Sequence, residues 1–277
     1  EHAQVSHEAF GQCDGFLRLD DFVQAAQENI GILQGIQGHR RRRQRQNAEE
    51  DRALSQASPA MAAIHDEQQP TDQPLALVEA GPGEGDLALQ LAQELAAGWP
   101  DLAACTELVL VEPNAGMVQR QRTLLQASPL PCRWTSFAEL ASAPVRGVVL
   151  AHEVLDALAV DRIEWDGATW RQQQVALHED PATGLALRLE PGEPLEPAAA
   201  AQLEALGLWP PSPQRPPGWC TELHPGLAPW LVDAAAALEA GPLLVIDYAL
   251  EAWRYYAPQR SAGTLMAYRG QQPSDDP

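Results

Sequence analysis

The middle of the chain alternates between short apolar runs and stretches in which apolar residues recur with helical spacing. The apolar runs predict strands at Leu75–Glu79, Glu107–Val111, Cys132–Trp134 and Val145–Ala151. The helical spacing predicts helices at Leu87–Ala97, Ala115–Gln126 and Ser136–Ala141. Because strands and helices alternate, we predict an α/β core over residues 75–158, with a mostly parallel, doubly wound sheet.

After residue 158 the pattern changes to short strands joined by turn sequences. Strands are predicted at Val160–Trp165, Thr169–Leu177 and Leu185–Glu190, with Asp166-Gly167 as one of the turns. We therefore predict a small inserted subdomain over residues 159–240, a β-meander with some helix, which is a candidate for substrate or partner contact. The tryptophans of this insertion either face a partner or form its own core; they are Trp165, Trp170, Trp209 and Trp219.

The two ends of the chain differ from the core. Residues 1–74 are rich in Gln and contain the run Arg40–Arg43, which predicts a divergent, partly disordered N-terminal segment. An apolar run at Pro242–Ile246 ends in Asp247 and predicts one more strand of the sheet. Residues 241–277 are thus expected to form the C-terminal part of the core, cut short at Pro277.

Charge and composition exclude several classes of function. A formal net charge of −20 at pH 7 disfavours binding to nucleic acid backbones or anionic membranes. The absence of Lys excludes a mechanism with a Schiff-base lysine. The histidines lack metal-ligand spacing, and no apolar run reaches the roughly 18 residues of a membrane helix, so we expect neither a metal site nor membrane insertion. Four scattered cysteines indicate reduced thiols and a cytoplasmic location.

The most specific chemical signal lies directly after the first predicted strand. Glu79 is followed by Gly81, Gly83 and Gly85, and the next strand ends in Glu112. Glycines allow a backbone to approach a ligand closely, and an acid after the second strand is placed to accept hydrogen bonds from a ribose. The third glycine comes one residue too early for a dinucleotide fingerprint and instead fits an S-adenosylmethionine loop. A strand–helix turn without any cofactor is the alternative.

A second cluster of acids follows the fourth predicted strand. Glu153 and Asp156 stand just past its carboxyl end, where ligands bind in doubly wound sheets. Carboxylates at this edge could hold an acceptor guanidinium in bidentate fashion, which makes both residues candidate catalytic groups. Asp156 could instead cap a following helix.

Together these segments resemble the MidA-like family of class I methyltransferases over roughly residues 75–268. The resemblance rests on six ordered motifs: Glu79–Gly85, Val109–Asn114, His152–Leu158, Ile246–Tyr248, Tyr255-Tyr256 with Arg260, and Gly263–Tyr268. It implies a Rossmann-like fold, S-adenosylmethionine as cofactor, and methylation of an arginine in a protein partner. It also implies that His152 contacts the cofactor, at a position where the family usually has Asn.

The chain departs from the family pattern in places that bear on activity. Besides His152, it has Ala249 where the family usually has Gly, and residues 1–74 show no Pro-Glu-Ile-Ser-type motif. Family members also continue beyond the point corresponding to Pro277, so we expect the chain to be a fragment. Two other functions remain open: a non-catalytic assembly factor that retains the methyltransferase fold, and an NAD-dependent oxidoreductase.

Overall fold

The computed structural model of the protein describes residues 57, 61, 74–180, 184–195, 199–209, 212–248, 250–269 and 272–274. The prediction for residues 1–74 therefore lies outside the described residues, apart from Ala57, Met61 and Pro74. By internal contacts the described residues fall into two units. One holds a parallel sheet, from the residues before Leu158 and from Pro229–Asp247, and the other holds an antiparallel sheet.

The first unit is built on a parallel sheet in which a central strand is buried along its whole length. All six residues of β1, including Glu79, are buried, as expected for a strand covered by helices on both faces. The strands are β1 (Leu75–Ala80), β2 (Thr106–Val111), β3 (Cys132–Thr135), β4 (Val145–His152), β9 (Leu238–Ala240) and β10 (Leu243–Ile246). The order β3-β2-β1-β4-β10 is that of a doubly wound sheet, and β9 also pairs with β4. The prediction of a mostly parallel, Rossmann-like α/β sheet is confirmed.

The helices of this unit pack their apolar faces against the sheet. In α1 the buried residues recur every three to four positions, as Leu87, Leu91 and Leu95 illustrate. Ser136 caps α4 in a capping box with Glu139, and Asn114 caps α3 by accepting from two backbone N–H groups. The helices are α1 (Asp86–Gly98), α2 (Pro100–Ala104), α3 (Ala115–Leu124), α4 (Phe137–Ser142) and α6 (Leu227–Ala236), the last beginning just before Pro229.

The second unit contains the predicted meander and one further strand. The strands are β5 (Asp161–Trp165), β6 (Trp170–Asp180), β7 (Gly184–Pro194) and β8 (Trp219–Leu223). Their sheet has the order β7-β6-β5-β8, with antiparallel pairing throughout. Short elements complete the unit: α5 (Ala199–Ala205), α7 (Ala252–Tyr255), β11 (Ala267–Arg269) and β12 (Gln272–Ser274).

The tryptophans of the insertion mostly build its core. Trp170 and Trp219 are 1% and 0% exposed and meet edge to face, with Trp165 packed against the same cluster. Partner contact through Trp170 or Trp219 is therefore wrong for the described structure, because both side chains are enclosed. Trp209 remains 43% exposed.

A buried carboxylate holds a distant loop of the second unit in place. Glu222 on β8 is 1% exposed and accepts hydrogen bonds from the backbone N–H and hydroxyl of Thr264 and from the hydroxyl of Tyr255. Gly263 has φ +72°, and a Cβ there would stand 2.2 Å from Glu222 Oε1. A side chain at this position would therefore be strained and would crowd the buried carboxylate.

Candidate active site

The predicted site residues of the first unit share one edge of the parallel sheet. Ala80, at the end of β1, pairs with Val111 on one side and Ala151 on the other. Glu112 and His152 directly follow these two partners. Since the chain reverses its winding between β1 and β4, this is the edge where ligands bind in such sheets.

The three glycines form the turn between β1 and α1. Gly81, Gly83 and Gly85 all have positive φ, at +64°, +56° and +98°, so the turn needs residues without a Cβ penalty. A Cβ on Gly81 would approach Val154 Cγ2 to 2.9 Å, whereas one on Gly83 would meet nothing within 4 Å. The turn thus packs at Gly81 against the loop that follows β4, and it leaves open space at Gly83.

Glu79 lies one residue before the end of β1 and is enclosed by protein. The residue is 3% exposed, and its Oε2 has no hydrogen-bond partner among the described residues. Desolvation by burial raises the pKa of this carboxyl to about 8. A buried acid with an unpartnered oxygen is costly unless a donor or a cation meets it, so this residue is suited to a positively charged ligand group.

Glu112 is held by its own segment. Its Oε1 accepts from the backbone N–H of Asn114 at 2.8 Å, and its Oε2 accepts from the side-chain amide of Gln121 at 3.3 Å. The carboxylate is half-buried, so each oxygen keeps acceptor capacity for a ligand. This arrangement suits ribose hydroxyls.

The segment after β4 adopts a strained turn. Glu153 is the one non-glycine residue with positive φ in the described part of the chain, at 51°. Its backbone N–H donates to the carbonyl of Ile246 on β10 at 2.9 Å. Strain of this kind concentrates at functional sites because the surrounding structure must enforce it.

Asp247, which directly follows β10, anchors the same segment. Its Oδ2 accepts from the backbone N–H groups of Leu155 and Asp156, at 2.8 and 3.3 Å. Asp156 is the middle residue of a short 3-10 turn, and within residues 74–180 no helix follows it before β5. The alternative that Asp156 caps the next helix is therefore wrong, and Asp247 satisfies the free N–H groups instead.

Two residues of this edge were not predicted as site residues. Asp247 could have been inferred from its place at the end of an apolar strand, the signal that identified Glu112. Gln121 lies four residues before buried Leu125 on a helix, a spacing that puts a polar amide on the buried face.

Two features of this edge fit S-adenosylmethionine. The open space at Gly83 leaves room for a ligand beside the backbone, and the unpartnered Glu79 oxygen can meet an ammonium group. No group of three or more His, Cys, Asp or Glu in the described residues is arranged to hold a metal ion. Nor do these residues include a helix long and apolar enough to span a bilayer.

Comparisons with known proteins agree with this chemistry. Two solved structures from Burkholderia thailandensis are similar to the chain, each with 28% sequence identity and a TM-score of 0.61. The first, a COG1565 superfamily member bound to S-adenosyl-homocysteine, is matched over 81% of this chain and 54% of its own. The second, a native structure from the same superfamily, is matched over 83% and 56%. The chain thus spans little more than half the length of each.

A search of curated proteins gave no match. The family described as "Putative S-adenosyl-L-methionine-dependent methyltransferase" matches residues 57–277, which include the whole glycine turn, Glu112, the parallel sheet and the four-stranded antiparallel sheet. The chain belongs to this methyltransferase family.

Proposed function

We propose that the chain binds S-adenosylmethionine at the carboxyl edge of its parallel sheet and transfers the methyl group to a protein side chain. One observation carries the proposal: buried Glu79 presents an unpartnered oxygen directly before a glycine turn that leaves open space at Gly83. The S-adenosyl-homocysteine bound to the similar B. thailandensis protein supports the same cofactor class.

Each predicted cofactor contact has a distinct role in this proposal. Glu79 meets the ammonium of the methionine part, and the turn at Gly81, Gly83 and Gly85 makes room for the ribose and methionine. Glu112 accepts from the ribose hydroxyls through charge-assisted hydrogen bonds. His152, at the end of β4, is a further contact.

S-adenosylmethionine held by Glu79, the glycine turn and Glu112 would supply a sulfonium methyl group for in-line transfer to an acceptor nitrogen, with S-adenosyl-homocysteine as the leaving group. The protein then contributes mainly position and orientation. We assign Glu153 and Asp156 to the acceptor: their carboxylates hold a guanidinium and can take the proton that the methylated nitrogen releases. An arginine of a protein partner is the acceptor implied by the resemblance, and the net charge of −20 favours a cationic one.

The other roles belong to the same proposal. The antiparallel unit is proposed to contact the protein partner, and the chain is proposed to act in the cytoplasm, in accord with its scattered cysteines. An NAD-dependent oxidoreductase is disfavoured because the third glycine comes one residue too early for a dinucleotide fingerprint. Thermal stabilisation of the chain by NAD would contradict this interpretation.

Transfer of a labelled methyl group from S-adenosylmethionine to lysate proteins tests catalysis. We expect labelled arginine, and a loss of about tenfold or more in rate for Glu153→Ala and for Asp156→Ala, because each removes an orienting carboxylate. Glu94→Ala, an exposed acid on α1, is the matched control and should transfer at the wild-type rate. Cofactor binding without any transfer would instead favour a non-catalytic assembly factor.

A further inference from the structure

Gln121 is a fully buried polar side chain in the middle of α3, where it contacts three separate segments of the first unit. Its exposed fraction is 0%. The side-chain amide nitrogen donates to the carbonyl of Gly83 at 2.8 Å and to Glu112 Oε2 at 3.3 Å. The amide oxygen accepts from the indole N–H of Trp134 at 2.9 Å. One amide therefore joins the glycine turn, the acid after β2 and the end of β3.

Trp134 determines which way the amide faces. An indole N–H can only donate, so the group opposite it must be the amide oxygen. The NH₂ group then faces Gly83 and Glu112, both of which can only accept at these atoms. The chemistry of all three partners thus agrees on a single orientation.

This orientation has a direct effect on the two parts of the proposed cofactor site. The hydrogen bond from Gln121 to the Gly83 carbonyl fixes the peptide group between Gly83 and Glu84. In a trans peptide the N–H lies opposite the carbonyl, so the Glu84 N–H points away from Gln121. The bond to Glu112, together with the one from Asn114, holds both carboxylate oxygens. Because Glu112 is already held, its side chain loses no conformational freedom when a ligand binds, which favours tight binding.

We infer that Gln121 is a positioning residue of the cofactor site, which holds the Gly83 peptide and the Glu112 carboxylate in the geometry that binds the ribose part of the ligand. The inference rests on the proposed function, which places the cofactor against these two groups. Trp134 acts through Gln121 by fixing the orientation of its amide.

The test compares affinities for S-adenosyl-homocysteine by calorimetry, well below the unfolding temperature of each variant. Gln121→Met keeps the length of the side chain but removes the amide, and we expect its Kd to rise about tenfold or more. Gln119→Met, exposed on the same helix, is the matched control and should stay within about twofold of wild type. A Kd for Gln121→Met within about twofold of wild type would overturn the inference.

A second variant keeps the test decisive if Gln121→Met does not fold. Trp134→Phe retains an aromatic ring but frees the amide to rotate, and it should raise the Kd about threefold. Where Gln121→Met does fold, Trp134→Phe should add nothing in the Gln121→Met background, because residues acting through one another are non-additive. An unchanged Kd for Trp134→Phe, or an equal effect in both backgrounds, would contradict the role given to Gln121.

The outcomes separate this inference from the proposed function. If the wild-type chain shows no binding of S-adenosyl-homocysteine, the proposed cofactor site fails and the inference fails with it. If the wild type binds and Gln121→Met binds equally well, the cofactor site stands and only the positioning role is lost.

Discussion

Glu79 is the residue at which binding and stability oppose each other most directly. In the folded chain its pKa is about 8, against 4.5 as the ordinary value, because burial disfavours the charged form. Between these values the folded state holds one more proton than the unfolded state, so this group makes stability fall as the pH rises. A ligand ammonium would offset that cost, which explains why a binding site can retain the acid.

Glu79→Gln removes the ionisation while keeping the shape. The difference in unfolding free energy between the variant and wild type should grow in favour of the variant by about 3 kcal/mol from about pH 5.5 to about pH 8.5. The reason is that ionisation of a buried carboxyl destabilises only the wild type. Urea titrations across this range measure the slope. Glu94→Gln, an exposed control on α1, should show no such trend, and a pH-independent difference for Glu79→Gln would contradict the assignment.

At the level of turns and loops, the local sequence predicts conformations that depend on glycine but not conformations that depend on hydrogen bonds to distant residues. The glycine turn was predictable because three alternating glycines permit positive φ without strain. The positive φ of Glu153 was not, since it depends on hydrogen bonding to Ile246 and on the neighbouring turn anchored by Asp247. These partners lie more than ninety residues away and leave no local periodicity.

The loop around Glu222 provides a matched pair of glycine substitutions. Gly263→Ala should lower the unfolding free energy by about 2 kcal/mol or more, because the new Cβ meets the buried carboxylate and φ is positive. Gly207→Ala has a similar φ of +66° with nothing within 4 Å, so it should cost only about 1 kcal/mol. Chemical denaturation measures both. Equal costs would show that contact with Glu222 does not constrain the loop.

Over the whole molecule, the alternation of strands and helices was enough to predict the parallel sheet, because helices must cover both of its faces. Strand β8 escaped prediction: Thr221 and Glu222 interrupt its apolar pattern, yet both are buried. Glu222 is compatible with burial because Thr264, more than forty residues later, donates to it. Tertiary hydrogen bonds of this kind override the local pattern.

Binding of S-adenosylmethionine by the glycine turn is tested by calorimetric titration of wild type, Gly83→Asp and Gly98→Asp with S-adenosyl-homocysteine. Gly83 has φ +56°, a conformation that Asp tolerates, and its Cβ points into open space, so the variant should fold. The new carboxylate would occupy the proposed ligand space, so we predict that Gly83→Asp loses affinity by about a hundredfold or more. Wild type and Gly98→Asp, which changes an exposed residue, should both bind. Wild-type affinity in Gly83→Asp would show that the ligand does not bind beside Gly83.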